Sequence, residues 1–241
     1  MTDCNVDTTV GRMPMTGTVV GYDPGGNGKH GFSRAEIRDG RIVSPVNTET
    51  LQTAEDVVRS ILGGEKPIGL GIDTLTCWGT GRSGWRPADR WLRDRYPNVR
   101  PAIVAPNSLY GAMCVNGMAV LRTVRRAFPD IFVTETHLKV LYYARCKQRY
   151  DYSGPNTSVM NDRLNSWLGS DVNPRNEHEW DAAISILPVV HGLQGSWQDL
   201  HALPTDSGER LVHPCGKTTY MWPKRNPTPP TTPPPPPRPA Q

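Results

Sequence analysis

Two short apolar runs that each end in an aspartate constrain this chain most. Thr18–Tyr22 (TVVGY) leads into Asp23, and Pro67–Ile72 (PIGLGI) leads into Asp73. The second run is apolar at every position, the pattern of a strand covered on both faces, as parallel strands are in α/β proteins. Ligands in such sheets sit outside the carboxyl ends of the strands. A carboxylate at the end of each run therefore faces the usual binding crevice.

The remaining punctuation orders the elements. After Asp23 comes a loop rich in glycine (PGGNGKHG), then a strand over Phe32–Ile37. Asp39-Gly40 is a two-residue hairpin signal, and Arg41–Val46 reads as the return strand. Thr53 with Asp56 three residues on forms a capping box for a helix that stops at Gly63-Gly64. Further helices are expected over Ala88–Arg95, Leu109–Phe128, Leu138–Lys147, Met160–Leu168 and Glu177 to about Leu187, where Pro188 kinks or ends the last one. Ile131–Thr134 is a fifth strand, ending at Glu135. Three antiparallel strands followed by two α-linked parallel strands predict a mixed five-stranded sheet flanked by helices. That is the order of an RNase H-like α/β domain.

Charge locates the ends. The 241 residues carry 27 Lys and Arg against 23 Asp and Glu, a net of +4. From Gly208 onward there are five bases (Arg210, Lys217, Lys224, Arg225, Arg238) and one acid, Glu209. Removing them from the totals leaves 22 of each sign in residues 1–207. The predicted domain has no global positive field, so a nucleic-acid site must be a local patch. We expect a flexible N-terminus over 1–16, a domain over 17–207 and a basic, proline-rich disordered tail over 208–241. The run NPTPPTTPPPPPRPAQ favours extended polyproline II, and Arg238 within it suits an SH3- or WW-type protein partner. No apolar run reaches the roughly 20 residues of a membrane span, and Met1–Thr16 lacks the apolar core of a secretory signal. Five scattered cysteines (Cys4, Cys77, Cys114, Cys146, Cys215) without a CxxC pair speak against a zinc knuckle or disulfide framework and for a reducing cytoplasm.

Asp23 and Asp73 end strands expected to be neighbours. Two adjacent carboxylates repel unless a proton or a cation lies between them, and Mg²⁺ or Mn²⁺ takes oxygen ligands of this kind. Asp181, in NEHEWDAAISIL, enters an apolar helix, where a carboxylate is unusual unless it faces a polar site. His178 and Glu177 share its helix face. Glu135 is a fourth candidate because it too follows a strand. Lys29 in the glycine loop and Arg82 near Asp73 are candidate phosphate contacts, and Trp78 and Trp85 candidate stacking surfaces. Each has a plainer reading: turn residue, helix cap, dipole partner or core aromatic. The plainer reading is favoured singly for Glu135 and His178. Asp23, Asp73 and Asp181 are read as a set.

The motifs GYDPGG, GIDTLTCW, VTETH and EHEWDAA resemble an uncharacterised family of predicted nucleases with an RNase H-like fold. That family's pattern of Asp, Asp, Glu-x-His and Asp-Ala falls here on Asp23, Asp73, Glu135 with His137, and Asp181 with Ala182. The spacing also resembles Holliday junction resolvases, some of which open the last helix with His-x-x-Asp. Two departures stand out: Thr-Leu-Thr follows Asp73, and Leu138 follows His137, where the family commonly has proline. The resemblance implies metal-dependent phosphodiester hydrolysis at Asp23, Asp73 and Asp181 with two Mg²⁺ or Mn²⁺ ions, and nucleic acid as partner. Resolvase-like relatives often form homodimers. The alternatives are a phosphate- or nucleotide-handling relative of the actin-like ATPase fold, and a non-catalytic module recruiting partners through its tail.

Overall fold

The computed structural model describes residues 15–26, 28–81, 84–104, 111–206 and 208–224. In chain order the strands are β1 (Gly17–Asp23), β2 (His30–Arg38), β3 (Arg41–Ile42), β4 (Asn47–Leu51), β5 (Pro67–Ile72), β6 (Trp78–Gly79), β7 (Phe132–Glu135), β8 (Gln198–Asp199), β9 (Leu211–Val212) and β10 (Met221–Trp222). The helices are α1 (Ala54–Leu62), α2 (Pro87–Arg95), α3 (Gly111–Ala127), α4 (Leu138–Cys146), α5 (Asn156–Leu168), α6 (Glu177–Ile184) and α7 (Ile186–Leu193). The central sheet runs β3-β2-β1-β5-β7, and β4 also pairs with β2. β1 is antiparallel to β2 and parallel to β5, which is parallel to β7.

The local signals explain most elements. Asp39 and Gly40 take φ of 51° and 73°, the left-handed pair that turns a two-residue hairpin. Thr53 Oγ1 accepts from Asp56 N while Asp56 Oδ2 accepts from Thr53 N, each at 3.1 Å, so the capping box closes. Of the expected return strand, Arg41–Val46, only Arg41–Ile42 forms, as β3, and a separate strand β4 follows at Asn47–Leu51. Ser44 Oγ takes the Glu36 N–H at 3.0 Å, and Pro45 has no N–H for the ladder, so pairing resumes only at Asn47.

Strand alternation divides the interior. Val20, Tyr22, Leu70, Ile72 and Val133 pack with α1 and α3 on one face. Val19, Ala35 and Ile37 pack with the core formed by α2, α4, α5, α6 and α7 on the other. Residues on this second face include the stripe Gly31, Gly21, Gly71 and Gly69. A Cβ there would lie 1.9 Å from His178 O, 2.0 Å from Ala182 O, 1.8 Å from Ser185 O and 2.3 Å from Val189 Cγ1. Positions 178, 182, 185 and 189 form one face of a continuous helical path. α6 and α7 thus lie directly on the strand backbones. Ser33 Oγ adds a hydrogen bond to Ala182 O at 2.7 Å. The break between α6 and α7 falls at Ser185, because Pro188 has no N–H to offer the Ile184 carbonyl.

The domain extends past the boundary expected at residue 207. Thr219 N donates to Val133 O and Glu135 N to Thr219 O, at 2.9 and 2.8 Å, so the late segment covers the outer edge of β7. β9 pairs with β6 and β10 with β8, and Tyr220 and Trp222 are buried. Residues 208–224 therefore belong to the fold, although their net positive charge suggested a tail. The proline run from residue 226 lies outside the described residues, as do residues 1–14 of the expected flexible N-terminus. Among the described residues no helix is long and apolar enough to cross a membrane.

Gly71→Ala is expected to lower stability by about 3 kcal/mol, because the clash is with backbone that cannot rotate away. Urea denaturation checks this, and an unchanged midpoint would contradict the packing described.

Candidate metal centre

The strand alternation that seats α6 also aims the carboxylates. Asp23 follows Val19 and Gly21 on the α6 face of β1, and Asp73 follows Gly69 and Gly71 on the same face of β5. Tyr22 and Ile72 are register partners, and Asp73 N donates to Tyr22 O at 3.0 Å. The two aspartates therefore leave neighbouring parallel strands side by side. The third group arrives on α6, whose N-terminus is pinned twice. Asn176 Oδ1 caps it by accepting from Glu179 N at 3.0 Å. Glu179, fully buried, accepts from Thr48 and Thr50 of β4 at 3.2 and 3.0 Å and pairs with Arg175 at 2.6 Å. This docking places His178 Nδ1 2.8 Å from Asp23 Oδ2 and brings Asp181 to the same crevice. Tyr150 donates its hydroxyl to Asp181 Oδ1 at 2.8 Å.

The three aspartates act on one another. Burial pushes Asp23 above the usual carboxylate range, and its hydrogen bond with His178 opposes that. Asp73 is pushed well above the range by burial and then by the charges of Asp23 and Glu135. Asp181 is pushed well above it by burial and then by Asp23 and Asp73, with the Tyr150 hydrogen bond opposing. Lys139, on the exposed side of α4, lowers all three. His178 is raised by its bond to Asp23, and Lys29 opposes this, which places Lys29 within electrostatic reach of the same pair. As a set the three carboxylates do not close to within 4.8 Å of one another; among the described residues the group that does so is Cys77, Glu135 and His201. Two buried carboxylates and a half-buried one, mutually repelling and with one outlying Lys, form a donor set suited to a hard divalent cation.

Glu135 does not join this set. Its register partner is Ile72, one residue short of Asp73, so the alternation of β7 puts it out of step. Its carboxylate is held by Arg86 at 2.6 and 2.8 Å and by the N–H and hydroxyl of Thr76, both at 2.9 Å. Arg86 is itself buried and also grips Asp89 at 2.8 Å. Burial alone would raise Glu135, but Arg86 holds it below the usual carboxylate range. Arg82 lies outside the described residues. Trp78 pairs through β6 with Val212, and Trp85 lies under the Arg93 guanidinium at 4.8 Å. The sequence alone does not flag Lys139, Tyr150 and Arg86, because Tyr150 and Lys139 act on Asp181 and Arg86 on Glu135 across at least 31 residues of chain.

A mixed sheet in this order, helices on both faces and carboxylates ending strands β1 and β5 define an RNase H-like α/β domain. No protein-family model matches the chain, and no curated protein matches it. Two structures from Thermus thermophilus match part of the chain at low similarity. One, RuvC in complex with Holliday junction substrate, is 12% identical with a TM-score of 0.43, over 74% of this chain and 94% of that one. Another RuvC structure is 14% identical with a TM-score of 0.38, over 74% of this chain and 97% of that one.

Arg86→Leu leaves Glu135 and Asp89 buried without their partner and is expected to cost about 3–5 kcal/mol at neutral pH. In the wild type, Glu135 contributes stability that is complete above its unfolded value near pH 4.3 and lost as pH falls through its lower folded value. In the variant the unpaired carboxylate prefers its proton, so the deficit should shrink as pH falls toward about 4. Denaturation at stepped pH checks this; a deficit independent of pH would contradict it.

Proposed function

We propose that this protein is a metal-dependent nuclease whose centre is Asp23, Asp73 and Asp181. The observation that carries the reading is the convergence on one crevice of two buried carboxylates, Asp23 and Asp181, and the half-buried Asp73, whose like charges oppose one another. Structural carboxylates are normally paired, as Glu135 and Glu179 are here. These three share one imidazole, one phenol and a distant ammonium.

Asp23, Asp73 and Asp181 would hold one or two Mg²⁺ or Mn²⁺ ions. When bound, such ions supply activated water and charge stabilisation for the leaving oxygen in phosphodiester hydrolysis. The chain's own groups do the remaining work. Asp73 is positioned by its N–H bond to β1, which keeps the two strand carboxylates in register. Tyr150 fixes the Asp181 rotamer through Oδ1 and leaves Oδ2 to ligate. His178 carries a proton on the Asp23 side of the crevice and is placed to pass it to a departing oxygen. Lys139 and Lys29 lie on the exposed rim, where a phosphate chain would approach. Nucleic acid is the substrate class that best matches this pairing of acidic centre and basic rim.

Asp23→Asn should reduce Mn²⁺-dependent cleavage of DNA or RNA by at least about 10³-fold while leaving the fold intact. A panel of plasmid, four-way junction and single-stranded RNA, with circular dichroism as the folding control, checks this. Cleavage undiminished in the variant would contradict the assignment.

A further inference from the structure

On the far side of Asp73 from Asp23, the chain builds a second polar cluster that the nuclease reading does not use. Cys77, Glu135 and His201 present Sγ, a carboxylate oxygen and a ring nitrogen, all within 4.8 Å of one another. Cys77 Sγ lies 3.4 Å from His201 Nε2, which lies 3.7 Å from Glu135 Oε2. Tetrahedral Zn²⁺ with bonds of roughly 2.0–2.3 Å requires ligand separations of roughly 3.3–3.6 Å. The pocket is thus near coordination spacing already. His201 is also oriented as metal-bound histidines are: Nδ1 lies 3.1 Å from Thr218 O and donates to it, which leaves Nε2 as the lone-pair nitrogen toward Cys77 and Glu135.

The charge count points the same way. Arg86 carries one positive charge against the carboxylates of Glu135 and Asp89, so the buried trio has one negative charge in excess. A Cys77 thiolate would make it two, and a divalent cation would neutralise both. Without a cation, burial pushes the Cys77 thiol up to about 12, so it stays protonated. His213 stacks edge-on to His201 with ring centroids 6.0 Å apart, and its buried Nδ1 has no hydrogen-bond partner among the described residues.

We propose that Cys77, His201 and Glu135 form a structural site for a thiolate-preferring divalent cation of the Zn²⁺ class, with His213 or water completing it. Binding would release the Cys77 thiol proton to solvent and join three segments: the loop after Asp73, the end of β7, and the stretch carrying His201. It would thereby fix the loop that bears Asp73 without touching the aspartate centre.

The test is Co²⁺ titration of the full chain after stripping with a chelator, read by the near-ultraviolet thiolate-to-cobalt charge-transfer band. Only a cysteine ligand produces that band, so the readout is blind to metal on the three aspartates. The expected result is a band saturating at one equivalent, bleached by Zn²⁺, kept in Asp73→Asn and in Cys215→Ser, and lost in Cys77→Ser. If Cys77→Ser does not fold, His201→Gln decides, and should weaken Co²⁺ binding at least about 10-fold. No band in folded wild type, or a band that survives Cys77→Ser or is unaltered by His201→Gln, would overturn the proposal. In that case the 3.4 Å contact is a thiol hydrogen bond to His201.

Discussion

The direct seating of one helical path on bare strand backbone is the constraint on which the rest depends. Four glycines on one face of β2, β1 and β5 let α6 and α7 approach to distances at which any Cβ would overlap a carbonyl or methyl. The phase of the helix is then fixed, because only positions 178, 182, 185 and 189 fit that stripe. With the phase fixed, His178 and Asp181 have one place to go, the crevice at the ends of β1 and β5. A sheet with side chains at those four glycines would hold the helix off, and Asp181 would no longer share a site with Asp23.

The same alternation separates two kinds of buried charge. Asp23 and Asp73 leave the sheet in step, on the helix side, and meet like charge. Glu135 leaves out of step and meets Arg86. The first arrangement stores repulsion that a bound cation would relieve. The second is gripped by Arg86 and holds Thr76, three residues beyond Asp73, by its N–H and hydroxyl. A paired carboxylate of this sort supports the loop of an unpaired one, which is why the two centres lie so close in sequence and differ so much in electrostatics.

Much of this was legible in the sequence. The apolar runs ending in Asp23 and Asp73, the Asp39-Gly40 turn and the Thr53–Asp56 box are local signals, and the structure forms each of them. The broken return strand was hidden because Ser44 replaces a ladder bond with its side chain, which strand propensity does not record. Residues 208–224 were read as tail because charge dominated the count, while the anchoring residues Thr219, Tyr220 and Trp222 are short-range features with long-range partners. Glu135 illustrates the general limit: its position after a strand matched that of Asp23 and Asp73, and only its register and a partner 49 residues away distinguish it. The glycine stripe was visible as isolated glycines, but its meaning required the sheet order.

The most direct test of the central claim is Mn²⁺ titration by calorimetry of the wild type and of Asp181→Asn. The account predicts saturable binding in the wild type and its loss in the variant, whose altered group lies on a different element from Asp23 and Asp73. Equal heats in the two proteins would contradict it, because the carboxylate brought by α6 would then play no part in holding the ion.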